Sequence, residues 1–208
     1  ERAARGGRLD ATQFAAIAAT LEAGSRLREA LAGDRRPLLN ALARDLHGLP
    51  ALRSTLERSF DPIGELRDAA SPRLGGLRRA TRMAYERLRS RLEQLVHSTD
   101  VGAALQDPII TLRNGRYVVP VRADARSRVK GIVHDASGSG QTLFVEPLVA
   151  VELGNAWREA QVATQQEIER ILDELSALVG SQAGPLGELL GALARFDLWS
   201  AKARLAEE

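Results

Sequence analysis

Residues 107–147 read DPIITLRNGRYVVPVRADARSRVKGIVHDASGSGQTLFVEP, and this stretch decides the fold. On either side of it apolar residues recur every three or four positions; within it the period falls towards two. Ile109-Ile110-Thr111-Leu112-Arg113 is β-branched and strand-like. Asn114-Gly115 signals a tight hairpin, because both residues tolerate positive φ. Arg116 to Arg122 returns as a second strand. Pro120 has no N–H for a ladder, so that strand is expected to be an edge or to bulge there. Val129 to Asp135 makes a third strand, Ser137-Gly138-Ser139-Gly140 a turn, and Gln141 to Val145 a fourth strand that ends at Glu146-Pro147. Residues 108–147 are therefore predicted to form a small antiparallel β module inside a helical chain.

Working outward, Ser71-Pro72 is a helix start, with a hydroxyl N-cap and Pro at the first turn. Leu74, Leu77, Thr81, Ala84, Leu88, Leu92 and Leu95 follow at steps of three and four. That is a heptad-like seam on a helix of about 26 residues, roughly 39 Å long. Beyond the β module, Leu153, Trp157, Ala160, Thr164, Ile168, Ile171, Leu175 and Leu178 make a second seam of matching length and period. Two such helices flanking a β module predict an antiparallel pair with the module at its tip. The first sixty residues read as three short helices: Phe14, Ile17, Leu21, Leu27 and Leu31; then Leu38, Leu39, Leu42 and Leu46; then Leu52, Leu56 and Phe60. Asp34, Pro37, Gly48 and Pro50 punctuate them. Gly180, Gly184 and Pro185 break the chain again, and a last helix with Leu189, Leu193, Phe196 and Ala203 completes their core. The predicted fold is mainly α. Its parts are a helical core (1–70), a first long helix (71–107), the β module (108–147), a returning long helix (148–182) and a C-terminal core helix (183–208).

Composition agrees. Of 208 residues, 44% are hydrophobic and 27% charged, which suits a globular chain with a buried core. Aromatics are only 4%, which favours helices over a sandwich. Zero Cys excludes disulfide frameworks, thiolate zinc sites and cysteine nucleophiles. No apolar run approaches the ~18–20 residues of a membrane span, and no signal peptide is apparent. The only Met is Met83, so the chain reads as an excerpt of a longer protein. Lys occurs only at Lys130 and Lys202; the Arg excess suits either phosphate recognition or a GC-rich genome. Net charge is +2, unevenly spread: residues 1–145 carry 24 Lys and Arg against 16 Asp and Glu, and residues 146–208 carry 5 against 11. The first part is a basic surface facing something anionic, unless folding brings the halves together and cancels it.

The chemistry follows from what is present. No Gly-x-x-x-x-Gly-Lys-Ser/Thr loop exists around either Lys, so no nucleotide triphosphate site is expected. Gly138-Ser139-Gly140 lies between strands and reads as a hairpin turn rather than a phosphate cradle. His134, Asp135 and Ser137 sit side by side on a strand, where alternate side chains face opposite ways, so they do not make a catalytic triad. His47 and His97 lie in helical segments, and no metal-ligand spacing appears. Residues 113–130 hold Arg113, Arg116, Arg122, Arg126, Arg128 and Lys130 against Asp124 alone. These six are the candidate phosphate contacts, on charge and tip position. The competing reading is a charged strand edge that blocks aggregation. The Arg-rich face of the first long helix (Arg73, Arg78, Arg79, Arg82, Arg87, Arg89, Arg91) has the same two readings.

Longer runs carry a family resemblance. They include Leu105-Gln106-Asp107-Pro108-Ile109, Arg113 to Val121, Gly131-Ile132-Val133-His134-Asp135, Ser137, Gly140 and Thr142 to Pro147. Val151-Glu152-Leu153, Asn155, Arg158-Glu159, Glu167 to Leu172, Asp197 and Ala201 to Arg204 continue the match. Together they resemble the MutS-II family, the second bacterial branch of MutS-like ATPases. The likeness spans about Ser71 to Glu208 and is most specific over 105–172; Gly138 stands where many members have Ala. The resemblance implies a helical core, long lever helices and a β clamp at their tip that touches DNA. An ATPase domain holding ATP and magnesium, and a nuclease domain, would lie outside these residues. It implies a bacterial cytoplasmic, nucleoid-associated protein, a homodimer when full length, that binds branched DNA and suppresses homologous recombination. Two alternatives accompany it: a ribosomal-RNA-binding region of a factor acting on stalled ribosomes, and a purely structural dimerisation module. This stretch alone is expected to catalyse nothing and to hold no cofactor or metal.

Overall fold

The computed structural model describes residues 1–32, 36–46 and 48–207, with the side chain of residue 207 excepted. Asp34 and His47, read above as helix punctuation and as a helical histidine, lie outside the described residues. The chain is mainly α with one four-stranded antiparallel sheet, in the order α1 (Ala11–Leu31), α2 (Pro37–Asp45), α3 (Pro50–Ser59), α4 (Leu74–Val96), α5 (Thr99–Gly102), β1 (Thr111–Arg113), β2 (Arg116–Arg122), β3 (Gly131–Ala136), β4 (Thr142–Pro147), α6 (Leu148–Ser181) and α7 (Ala183–Glu207). It divides into two compact units: Glu1–Leu74 with Glu167–Glu208, and Gly75–Gln166. No helix among the described residues is long and apolar enough to cross a membrane.

The first unit is helical. Asp10 caps α1 by accepting from the Gln13 amide, and the Gln13 side chain accepts from Asp10 N, a reciprocal capping box. Phe14, Leu21, Leu46, Leu56, Leu74 and Leu189 are fully buried here, and the Phe14 and Phe60 rings stack at 5.1 Å. The α6 seam drifts at its end: Val179 is buried and Leu178 exposed, because a straight α-helix does not keep a 3.5-residue repeat. Leu38 is 73% exposed and Ala203 also faces solvent, so neither joins the core assigned to it. Gly184 and Pro185 do not break the chain. They form the first turn of α7, where Pro is tolerated, and the break falls at Gln182. At Gly180 a Cβ would lie 2.6 Å from the Ala3 carbonyl oxygen, so only glycine lets α6 approach the N-terminal backbone.

Ser71 caps α4 as expected. Its Oγ accepts from the Arg73 and Leu74 amides at 3.1 and 3.0 Å, and regular helix begins at Leu74. The same hydroxyl donates to Glu167 Oε1 at 2.7 Å. Arg170 closes on both oxygens of that buried carboxylate, at 2.7 and 3.0 Å. With two donors fixed on it, Glu167 is held well below the usual carboxylate range, at about 2.

In the second unit α4 and α6 run antiparallel: Thr81 Oγ1 meets Thr164 Oγ1 at 2.9 Å, and Tyr85 meets Trp157 at 5.7 Å between rings. The two helices differ in length, 23 against 34 residues. Leu88, Leu92 and Val96 of α4 pack with Ala104, Val119, Val121, Val129 and Val145. Val96, not Leu95, is the last buried position of the seam, by the drift seen in α6. The sheet order is β1-β2-β4-β3. Asn114 (φ 51°) and Gly115 (φ 74°) make the β1–β2 turn with both φ positive. Strand β2 is not an edge, and Pro120 pairs in register with Phe144. β1 pairs only as far as Val118, and beyond it the Pro120 carbonyl accepts from Gln106 N at 2.8 Å. N and O of one strand residue point the same way, so the missing N–H faces a lone bridge at Leu105 rather than a full ladder.

Candidate nucleic-acid interface

The sheet curls until its two edges touch. Asn114 Nδ2, at the β1 edge, donates to the His134 carbonyl of β3 at 3.2 Å. Arg113 Nε lies 3.5 Å from Asp135 Oδ2, and its guanidinium sits 4.4 Å from the centre of the Phe144 ring. The β3–β4 register slips between Val133 and Asp135, which leaves His134 on a bulge. A bulge adds twist and re-aims its side chain. Here it brings His134 Nε2 to 2.7 Å from Glu146 Oε2.

Glu146 is the centre of this curl. It is 3% exposed, the penultimate residue of β4, just before α6 begins. Arg116 Nη1 reaches its Oε1 at 3.3 Å and also donates to Asn155 Oδ1 at 2.7 Å. Arg158 Nη2 donates to the Gly115 carbonyl at 2.5 Å, so helix α6 grips the hairpin turn from outside. A buried carboxylate is tolerated only when paired and hydrogen-bonded, and Arg116 with His134 supplies that. His134 and Ser137 share no bond: Ser137 Oγ instead meets Ser139 Oγ and accepts from the Thr142 amide.

The six candidate phosphate contacts fall into three kinds. Arg116 is spent on Glu146 and Asn155. Arg126 is spent on backbone, donating to the Val129 and Gly131 carbonyls at 2.5 and 2.7 Å beside the edge strand β3. Arg113 and Arg122 are half-exposed: Arg122 holds a long pair with Asp124 at 3.4 Å, and Arg113 one with Asp135 at 3.5 Å besides its contact with Phe144 and a 3.0 Å donation to the Leu112 carbonyl of its own strand. Arg128 and Lys130 are exposed, with no side-chain partner among the described residues. On α4, Arg79, Arg82, Arg87 and Arg91 are likewise exposed and unpartnered, whereas Arg89 pairs with Glu93 at 2.7 Å. Sequence reasoning missed Glu146, His134, Asn155 and Arg158 as one network. The available signal was an acidic residue ending an otherwise apolar strand.

A mainly helical scaffold whose second unit carries a curled β module and unneutralised cations is the class these features define. Among curated proteins the chain is 46% identical, over 211 aligned positions, to the endonuclease MutS2 of Thermomicrobium roseum, covering 99% of this chain and 26% of that relative. It is 42% identical to the endonuclease MutS2 of Pelotomaculum thermopropionicum and 46% identical to that of Geobacillus thermodenitrificans, covering 100% and 99% of this chain and 27% of each relative. No family model matches it. The chain belongs to the MutS-II family and spans about a quarter of the length of the curated relatives it matches. The similarity reaches through residues 1–70 as well, beyond the stretch where motifs alone carried it.

Proposed function

We propose that this chain is the DNA-binding region of a MutS-like endonuclease and catalyses nothing by itself. The observation that carries the reading is the set of exposed cations in the second unit that have no side-chain partner among the described residues: Arg128, Lys130 and the α4 arginines Arg79, Arg82, Arg87 and Arg91. Arginines that fold the module are paired; these are not, and unpaired cations on an exposed face are what a phosphate backbone requires. Arg113 and Arg122 join them, since a phosphate competes readily with exposed ion pairs of 3.4–3.5 Å. Arg116 and Arg126 serve as positioning residues that hold the curl. In the whole protein this region grips branched or duplex DNA for an ATP- and magnesium-dependent machine that suppresses recombination, as the family resemblance implies.

The test is fluorescence anisotropy with duplex and four-way branched DNA at two salt concentrations. Each phosphate contact contributes about 0.9 to the slope of log K against log salt. Arg128→Glu with Lys130→Glu is expected to weaken binding and lower that slope by about two. An unchanged affinity and slope in that double variant sinks the assignment.

A further inference from the structure

The second unit holds a cleft that the phosphate reading does not use. It encloses about 250 Å³ between α4 and the β1–β2 hairpin, lined by Tyr85, Arg89, Leu92, Glu93, Ile110 and Tyr117. Both tyrosines of the chain line it and pack on Trp157, one of its two tryptophans, in a chain with only 4% aromatics. The Tyr85, Tyr117 and Trp157 rings lie 5.3–5.8 Å apart, each tilted against the others. The cleft is smaller than the roughly 300–1,000 Å³ of sites that engulf a whole ligand, so it suits one ring of a molecule held elsewhere.

Its rim selects the ring. Arg89 Nε binds Glu93 Oε1 at 2.7 Å and its guanidinium also interacts with the Tyr85 hydroxyl, leaving its remaining donors and the second carboxylate oxygen on the lining. Burial and the Tyr85 hydroxyl push the Tyr117 phenol up, so it stays protonated. A nucleobase edge carries both donors and acceptors and matches such a pair. A phenylalanine or leucine from a partner protein would leave those groups unmatched, at the cost of their desolvation. Arg82, Tyr85 and Arg89 follow at steps of three and four along one line of α4, about 10 Å from first to last. Arg82 is exposed and has no side-chain partner among the described residues, placed to take a phosphate of the same strand.

We propose that this cleft takes a single unpaired nucleobase, turned out of a strand whose phosphates follow the Arg82 side of α4. The inference rests on the nucleic-acid reading above and adds to it: the region distinguishes a duplex carrying unpaired nucleotides from a continuous one.

The experiment uses the chain with Trp199→Phe, which leaves Trp157 as its sole tryptophan. Three probes are titrated: a blunt duplex, the same duplex with a five-nucleotide unpaired tail, and that tail made abasic. One stacked base contributes about five- to hundredfold in affinity. The tailed duplex is therefore expected to bind tighter than the abasic one by that factor and to change Trp157 emission, which the abasic tail leaves alone. Tyr85→Ala is expected to bring the tailed duplex down to the abasic level. Arg89→Ala, at a side chain 61% exposed and away from the core, does the same without risk to folding. Equal affinity for tailed and abasic probes with unchanged emission overturns the inference while blunt-duplex binding keeps the proposed function standing. Loss of all three bindings removes both. Quenching by a phenylalanine amide in preference to a mononucleotide also overturns it, in favour of a protein partner.

Discussion

Truncating Arg116 separates positioning arginines from binding ones. In Arg116→Ala, Asn155 Oδ1 loses a 2.7 Å donor and Glu146, 3% exposed, keeps only His134. Two hydrogen bonds to or from charged groups contribute about 1.5 kcal/mol each at the low end, and a half-stripped buried carboxylate sits at the bottom of the ~3–5 kcal/mol range for broken buried pairs. Arg116 itself is 29% exposed, so solvent recovers part of this, and about 2–3 kcal/mol is the expected net loss. Urea unfolding followed through Trp157 in the Trp199→Phe background reads the second unit directly. Arg128→Ala, exposed and unpartnered, is expected to stay within about 0.5 kcal/mol of the parent. Their DNA-binding effects are expected to reverse: Arg128→Ala lowers the salt slope by about 0.9, while Arg116→Ala leaves the slope alone wherever the protein is folded. A loss under 0.5 kcal/mol in Arg116→Ala would falsify the claim that Glu146 depends on it. A lowered salt slope in folded Arg116→Ala would return that arginine to the DNA-contacting set.

Glu167 gives the first unit an acid-sensitive joint. Its folded value near 2 lies below its ordinary 4.5, so its contribution is complete above about 4.5 and disappears as pH falls to about 2. Asp173, lowered by Arg8, acts in the same sense. Unfolding midpoints measured from pH 6 to 2 should fall less steeply in Glu167→Gln; an identical fall means the joint is not what titrates. Gly180→Ala sets two effects against each other. Alanine improves helix propensity by about 1 kcal/mol, but its Cβ meets the Ala3 carbonyl at 2.6 Å, and overpacking against backbone costs about 1–3 kcal/mol. Net destabilisation is expected in denaturant melts, and a stabilised variant would show that the N-terminal segment moves aside freely. Phe14→Ala removes a fully buried ring stacked on Phe60 and should cost about 3–5 kcal/mol by the same melts.

The β module was legible because its signals are local. Asn114-Gly115 demands two positive φ values whatever surrounds it, and the strands follow from β-branching on either side. Periodicity likewise located α4 and α6, but it placed Leu95 and Leu178 in seams that Val96 and Val179 occupy, since a few degrees of drift per turn accumulate over a long helix. Pro120 predicts an edge or a bulge because a proline excludes one ladder bond. Which side of β2 that bond would lie on depends on where β1 stops, a tertiary fact. The candidate site was legible as charge and not as geometry. Nothing in Arg113 to Lys130 tells which guanidinium finds a carboxylate 30 residues later, so Arg116 and Arg128 look alike until Glu146 is placed. The aromatic cleft had a compositional hint, two tyrosines in 208 residues, but residues 85, 117 and 157 meet only through the fold.

The charge asymmetry of the sequence resolves in a way that bears on function. An excess of cations before residue 146 and of anions after it cancels only where those acids meet those cations, and several of the acids meet other arginines. Asp173 and Glu169 take Arg8; Glu167 takes Arg170, with Arg73 at 3.9 Å; Glu146 takes Arg116. These acids neutralise arginines that hold each unit together, and among the described residues Arg79, Arg82, Arg87, Arg91, Arg128 and Lys130 are left without a side-chain partner. Exposed cations without a side-chain partner among the described residues also occur in the first unit, at Arg2, Arg5, Arg58, Lys202 and Arg204, but those of the second unit lie together on α4 and the 123–130 segment beside the β module. Carrying six unpaired cations there gives up cohesion that exposed pairs would add only weakly, and a polyanion compensates for it more fully, because each phosphate contact also releases a condensed counterion.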